Sequence, residues 1–399
     1  MGNIQERVEG TFTHEEAVAK VKELIPTIKS RFGISDQIGK QPQETIDEMI
    51  DSGLVRLLQP VKFGGHELTL KTAAETIVEI AKADPSAGWC FGLLVMHSWM
   101  LAYWPEKAQK EIWNANPDAC IASSFNAAPT SKVEKVEGGY RISGEWGFSS
   151  GIDHSEWAMV GSIQFPENRR PQFLMLIINE KDFEIKDTWQ VQAQKGTGSK
   201  TIVVKETFVP EYRVVDMVAW SKSEEMEGSK VNTGPLYNLP LYAAMQIGIA
   251  SAVLGASKGA YEAWKESIRN KLTVSHTNVK DFTHQQIRLA EISASLEAAE
   301  ALFYKTIESL TDGGPIEIIE RTKLRRNYAY MVRLCNESVR KIVDHAGAGI
   351  IFDKNPIQQY WRDVQAGSMH IAFNMDSIGE TLGKLELGIG LNPKDNLLS

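Results

Sequence analysis

Cysteine is scarce and unclustered in this sequence. Cys90, Cys120 and Cys335 are the only three in 399 residues, far apart and odd in number. No disulfide framework or thiolate metal site follows from them, and a reducing cytoplasm is the expected setting. There is no H-E-x-x-H and no His/Cys cluster, so no metal is expected. No G-x-G-x-x-G follows a strand-like run and no G-x-x-x-x-G-K-[ST] occurs. Gly248, Gly255 and Gly259 lie in a helical run, too widely spaced to cradle a pyrophosphate. A nicotinamide-binding Rossmann domain is therefore excluded, and no hydrolase nucleophile elbow is read. Excess positive charge is also missing. Lys and Arg number 43 against 51 Asp and Glu, for a net charge of −8 without a basic run. That argues against nucleic acid and anionic membrane surfaces as partners.

The N-terminal MGNIQERVEG has no apolar centre, so no signal peptide is expected, and Glu6 stands where a myristoylation signal wants Ser or Thr. One segment raises the membrane question: Ala87 to Trp104 carries no formal charge. His97 and Ser98 interrupt it, and Asp84 and Pro105 bound it. A buried helix of a large helical domain is the expectation.

Hydrophobic residues make up 43% of the chain, enough for a substantial core. From about Thr13 to Ala119 the apolar spacing is helical, punctuated by Pro42, Pro60, Pro85 and Pro105. From Cys120 to Met217 short β-branched and aromatic runs alternate with Gly, Asn and Pro, and EGGYRISG carries a hairpin signal. After a polar stretch from Ser221 to Asn232, two stripes follow steps of three and four. They are Leu289, Ile292, Leu296, Ala299, Phe303, Ile307 and Leu310, then Val332, Cys335, Val339, Ile342 and Ala346. Asp312-Gly313-Gly314-Pro315 breaks the chain between them. The expected organisation is a helical domain over 1–119, a β-barrel or sandwich over 120–217, and a helical bundle over 218–399.

Four segments, spread from about Arg56 to Asp376, carry a resemblance. They are RLLQPVKFGGHELTL with ADPSAGWCFGLLVMHSWMLAYWPEKAQKEIW; GYRISGEWGFSSGIDHSEWAMVG; KGTGSKTIVVKETFVPEYRV; and HAGAGIIFDKNPIQQYWRDVQAGSMHIAFNMD. In this order they resemble the oxygenase components of two-component flavin-dependent monooxygenases built on the acyl-CoA dehydrogenase fold. The resemblance implies a mainly α protein with a central β domain and a C-terminal four-helix bundle. It also implies reduced flavin (FMNH2 or FADH2) as cofactor, O2 as co-substrate, and a separate NAD(P)H-dependent flavin reductase. A small aromatic substrate would be hydroxylated through a C4a-hydroperoxyflavin, in a cytoplasmic homotetramer.

The same resemblance assigns residues. Trp146, Phe148 and Ser149 would line the flavin, with the Ser149 hydroxyl at N5, where a group that can donate and accept holds the proton of the reduced ring. A strand-end cap is the plainer reading of Ser149 and Ser150. His97 matches a substrate-pocket histidine able to polarise or deprotonate a phenol, or is a satisfied core residue. Ser123 matches a pocket and flavin-edge position, or is a loop serine. His154 serves its turn. Gly198 and Ser199, in GTGSK, would close over the flavin. Arg269 would reach a flavin phosphate, often across a subunit interface, or is a solvated helix residue. Tyr237, Asn238 and Tyr242 would line the substrate pocket, with Asn238 where relatives acting on phenols or acidic aromatics carry arginine.

One departure decides between reactions. Acyl-CoA dehydrogenases keep a carboxylate base shortly after an Arg-Asp pair, yet after Arg362-Asp363 no Asp or Glu occurs until Asp376. His370 stands in that region, as in the monooxygenases, suited to proton donation. The alternatives are a flavoprotein dehydrogenase that keeps its flavin and a catalytically silent binding subunit.

Overall fold

The structure, a computed structural model, describes residues 10–126, 130–164, 172–221, 225–310, 313 and 315–391. Asp312 and Gly314 of the expected break lie outside them, as do 222–224 of the polar stretch and the N-terminal 1–9.

Six helices come first: α1 (His14–Ser30), α2 (Ile34–Ile38), α3 (Gln43–Asp51), α4 (Leu70–Ala83), α5 (Pro85–Leu101) and α6 (Glu106–Trp113). The start of α1 is a capping box, Thr13 with Glu16. The apolar segment forms α5, where Asp84 caps the N-terminus by accepting from Ala87 N at 2.9 Å and Pro85 takes the first turn. Every residue of α5 except Leu93 is buried, because α4, a later helix, a strand and a loop surround it. Among the described residues no helix is long and apolar enough to cross a membrane.

The strands form two facing sheets, a sandwich. One sheet orders β1 (Ile121–Ser124), β4 (Trp157–Gln164), β5 (Gln172–Asn179) and β8 (Val214–Asp216), with β1 parallel to β4. The other orders β2 (Lys132–Val136), β3 (Gly139–Ser149), β7 (Lys200–Pro210) and β6 (Glu184–Lys186). The hairpin expected at EGGY turns on Glu137-Gly138, with Val136 opposite Gly139 and Gly138 at φ +77. Strands β4 and β5 are apolar on both faces for a reason. Ala158, Val160, Leu174 and Leu176 fill the space between the sheets, while Met159, Met175 and Ile177 join the core shared with the helices.

Seven helices follow: α7 (Met217–Ser221), α8 (Leu241–Ala244), α9 (Ile247–Asn270), α10 (Thr283–Glu308), α11 (Ile318–Ala346), α12 (Pro356–Ser368) and α13 (Met375–Glu386). The two sequence stripes are the buried faces of α10 and α11, from Ile292 to Ile307 and from Val332 to Ile342. The helical segments before and after the strands share a single core. Helix α5 also crosses α9 closely: a Cβ on Gly92 would stand 2.9 Å from the Gly248 carbonyl, so only glycine permits the approach.

Candidate active site

Three elements converge where β3 ends. Its register against β7 slips between Trp146 and Ser149, which face Ile202 and Lys200, a bulge of one extra residue. Within it Phe148 adopts φ +61, a left-handed conformation strained for a bulky side chain. The slip turns the Phe148 ring outward, 70% exposed, and turns Ser149 inward, fully buried. The Ser149 hydroxyl has no hydrogen-bond partner. A buried hydroxyl left so costs about 1–3 kcal/mol until another group satisfies it, so this position fits the polar edge of a bound flavin.

The other walls are fixed by hydrogen bonds. Ser150 Oγ accepts from Trp89 Nε1 of α5 at 3.2 Å and lies 2.7 Å from Ser199 Oγ, which is 2.6 Å from Thr197 Oγ1. The loop carrying Thr197, Gly198 and Ser199 is thereby tied to the end of β3. Gly196 permits this: a Cβ there would meet Ser35 Cβ at 2.5 Å. Trp89 also meets the His370 ring, 6.1 Å between centroids. His370 lies just past α12, where its Nδ1 accepts from Ala372 N at 3.2 Å. That acceptor role leaves the proton on Nε2. Surrounding protein pushes the imidazole down to about 4, although the residue is exposed in the single chain. Water at that open edge opposes the shift, while the surrounding protein favours the neutral ring.

Two turns along α5 from Trp89, the buried His97 pairs with Ser123 on β1, with Nε2 2.8 Å from Ser123 Oγ and Nδ1 2.6 Å from the Ile121 carbonyl. Burial lowers its pKa to about 4, so the ring is neutral at pH 7. The next residue, Ser124, donates to the Gly147 carbonyl at 2.7 Å and joins the end of β1 to the end of β3. His97, Ser123, Ser149, Ser199 and His370 therefore line one junction of α5, the sandwich and α12.

Two acyl-CoA dehydrogenase domain models match the chain, the N-terminal domain over residues 14–116 and the C-terminal domain over 247–375. The FADH(2)-dependent resorcinol hydroxylase, oxygenase component, of Rhizobium sp. is 30% identical over 96% of this chain and 96% of its own. The p-hydroxyphenylacetate 3-hydroxylase, oxygenase component, of Acinetobacter baumannii is 33% identical over 94% of this chain and 89% of its own. The chain belongs to the flavin-dependent monooxygenases of the acyl-CoA dehydrogenase fold. Among solved structures, the HsaA monooxygenase from M. tuberculosis superposes with a TM-score of 0.89 at 29% identity, over 97% of this chain and 100% of its own. XiaF from Streptomyces sp., in complex with FADH2 and glycerol, gives 0.87 at 25%, over 95% and 96%. This monooxygenase is an oxygenase component that uses reduced flavin and O2, and such components work with a separate flavin reductase.

Other expected site residues of the monooxygenase lie elsewhere. The Trp146 indole is in the core of the sandwich, donating to the Gly161 carbonyl at 2.7 Å, and Phe148 meets Trp189 at the surface. Tyr237 is a fully buried core residue whose hydroxyl donates to the Leu58 carbonyl at 3.0 Å. Asn238 is exposed, and Tyr242 is half-buried beside the Arg325 guanidinium, 5.9 Å from its ring centre. Arg269, at the far end of α9, pairs with Glu266 at 3.4 Å. It lies sixteen residues beyond Val253, which packs near Gly367 and Trp89, or about 24 Å along the helix. Within one chain it does not reach the junction. His154 ties its turn to the start of α3, touching Gln43 Oε1 and the Gln41 carbonyl.

Gly147-Phe148-Ser149-Ser150-Gly151 has the letters of a nucleophile elbow, G-x-S-x-G. The geometry removes the hydrolase reading: a 3-10 turn, Ile152–His154, follows in place of a helix, and no histidine bonds Ser149. Trp89 and Ser150 carry no sequence signal for the site, since one lies in an apolar run and the other in a strand-end turn.

Proposed function

We propose that this oxygenase hydroxylates a small aromatic substrate at the junction of α5, β3 and α12, with the flavin ring against Ser149 and the substrate towards His97 and Ser123. The buried, unpartnered Ser149 hydroxyl carries this reading. Reduced flavin, when bound, supplies the electrons that turn O2 into a hydroxylating oxygen. The chain's own residues do the rest. Ser149 holds the N5 proton by accepting from it. His370, neutral with hydrogen on Nε2, donates a hydrogen bond at the oxygen side, a role that does not require an imidazolium.

His97 polarises rather than deprotonates. Its Nε2 already accepts from Ser123, and a pKa of about 4 makes it a poor base at neutral pH. Ser123, donating to His97, keeps oxygen lone pairs to accept from a substrate hydroxyl or N–H. Relatives are named for resorcinol, p-hydroxyphenylacetate and indole-3-acetate, which supports an aromatic ring.

The assembly is a homotetramer in the cytoplasm. Ile351, Phe352, Met369, Ile371 and Leu387 are 59–77% exposed in the single chain, apolar surface of the kind that subunit contacts cover. Two of them flank His370, so assembly closes its open edge. Arg269 then serves a neighbouring subunit's flavin phosphate. Anaerobic titration with FADH2 and with FMNH2 tests the reading: the parent protein binds one of them, and Ser149→Ala binds it more weakly. Equal affinity in both proteins moves the flavin away from Ser149.

A further inference from the structure

The Arg362-Asp363 pair marks the absence of a dehydrogenase base, and the site as described gives it no task. Its contacts do. Asp363 is buried, and its Oδ1 accepts the backbone N–H of Gln194 at 2.5 Å while Oδ2 has no partner. Arg362 donates to the Gln192 carbonyl and, at 2.9 Å, to Asp36. Two adjacent side chains of α12 thus grip the loop on either side of Ala193. Gln194 is held at φ +50, a conformation that a residue with a side chain keeps only where its surroundings impose it.

From Gln194 a directed chain of hydrogen bonds runs to the flavin junction. The Gln194 carbonyl accepts from Thr197 Oγ1 at 2.8 Å, Thr197 meets Ser199, Ser199 meets Ser150, and Ser150 accepts from Trp89 Nε1. One end is an N–H and the other a carbonyl, so every hydroxyl between them has its proton direction set. Ser150 directly follows Ser149. The helix that holds Gln194 ends at Ser368, two residues before His370.

We propose that Asp363 is a positioning residue for the oxygenase reaction: by clamping Gln194 it fixes the Gln194–Ser199 loop, and through Thr197, Ser199 and Ser150 it fixes the Ser149 hydroxyl. The proposal rests on the reading that Ser149 meets the flavin. Arg362 is the cation beside three buried or half-buried carboxyls, Asp36, Asp84 and Asp363, and burial pushes Asp363 up to about 8. The shift is towards the protonated form, which a carboxamide mimics.

Asp363→Ala and Asp363→Asn, in the full chain, separate this role from general stability. Hydrogen–deuterium exchange of the segment from Gln190 to Ser199, without flavin, rises about tenfold or more in Asp363→Ala. It stays near the parent rate in Asp363→Asn, whose Oδ1 still accepts from Gln194. Anaerobic titration with FADH2 gives an affinity about ten- to a hundredfold weaker in Asp363→Ala and near the parent value in Asp363→Asn. Should Asp363→Ala not fold, Ser199→Ala cuts the same chain nearer the flavin, leaves the clamp intact, and weakens FADH2 binding in the same way. Parent-like exchange in Asp363→Ala, parent-like FADH2 affinity in the alanine variants, or equal loss in Asp363→Asn overturns the proposal. A parent protein that binds neither FADH2 nor FMNH2 overturns the reading of Ser149 and the positioning role with it, while exchange still reports on the clamp alone.

Discussion

His97 stands 2.8 Å from the Ser123 hydroxyl through Nε2 and 2.6 Å from the Ile121 carbonyl through Nδ1, and the two contacts allow one proton arrangement. A carbonyl only accepts, so Nδ1 carries the hydrogen, Nε2 is an acceptor, and Ser123 donates to it. Because the pair acts as a unit, His97→Ala and Ser123→Ala each lower product formation by about 10²-fold, and the double variant is little worse than either. Chromatography of product formed with photoreduced FADH2 and a panel of phenols and indoles checks this. The pH profile adds a second check. The ring's pKa is lowered, so it charges only near pH 4, and no acid limb at about 6.5 arises from it.

Ser149→Ala separates a flavin contact from a packing role. The hydroxyl has no partner in the flavin-free chain, so its removal leaves apo stability unchanged or raises it by up to about 1 kcal/mol. With flavin and substrate present, the same change releases H2O2 at the expense of product. Calorimetry of the apo protein and a peroxide assay during turnover give the two readings. Lower apo stability with parent-like coupling returns Ser149 to a structural role.

Much of the fold is legible from residue spacing. The stripes on α10 and α11 are periodic because one face of each helix meets the shared core. Asp84 and Pro85 announce the start of α5. What spacing does not reveal is that the two helical segments form one core, since Gly92 meeting Gly248 is a contact between distant parts of the chain. The site is legible in part. Ser149 and His97 are found through resemblance, but strand alternation gives no hint that a bulge turns Phe148 out and Ser149 in. Tyr237 looks available in sequence because its aromatic neighbours do, yet its hydroxyl is bound to Leu58. Arg269 belongs to the right helix at the wrong end for its own chain.

That distance sets a prediction for Arg269. If it holds a flavin phosphate of a neighbouring subunit, Arg269→Ala weakens FADH2 binding by about 1.5–3 kcal/mol, the range for hydrogen bonds to charged groups. The loss appears only in the assembled protein. FADH2 titration at concentrations above and below subunit dissociation, followed by light scattering, tests both parts. Unchanged affinity makes Arg269 an ordinary solvated arginine.

Asp363 sets a pH dependence of stability. Its folded pKa, about 8, lies above the ordinary 3.8, so the folded chain keeps a proton that the unfolded chain has lost. Its contribution is full below the ordinary carboxylate range and is lost as pH rises through about 8. His97 works in the opposite sense but only between about 4 and its ordinary 6.5. From pH 6.5 to 8 the carboxyl acts without that opposition, and the parent loses up to about 2 kcal/mol, one proton's worth over that span. Asp363→Asn is flatter there. Urea melts at pH 6.5, 7.2 and 8.0 measure it, and parallel slopes in the two proteins refute it.

Given reduced flavin, this chain places one atom of O2 in an organic substrate. A single-turnover reaction in 18O2 tests it most directly, with the purified protein, photoreduced FADH2 and a panel of phenols and indoles, products being read by mass spectrometry. One 18O atom is expected in a hydroxylated aromatic product, none when NADH replaces FADH2 without a reductase, and H2O2 in place of product in Ser149→Ala. Turnover with NADH and oxidised flavin by this chain alone, or product oxygen drawn from water, would contradict it.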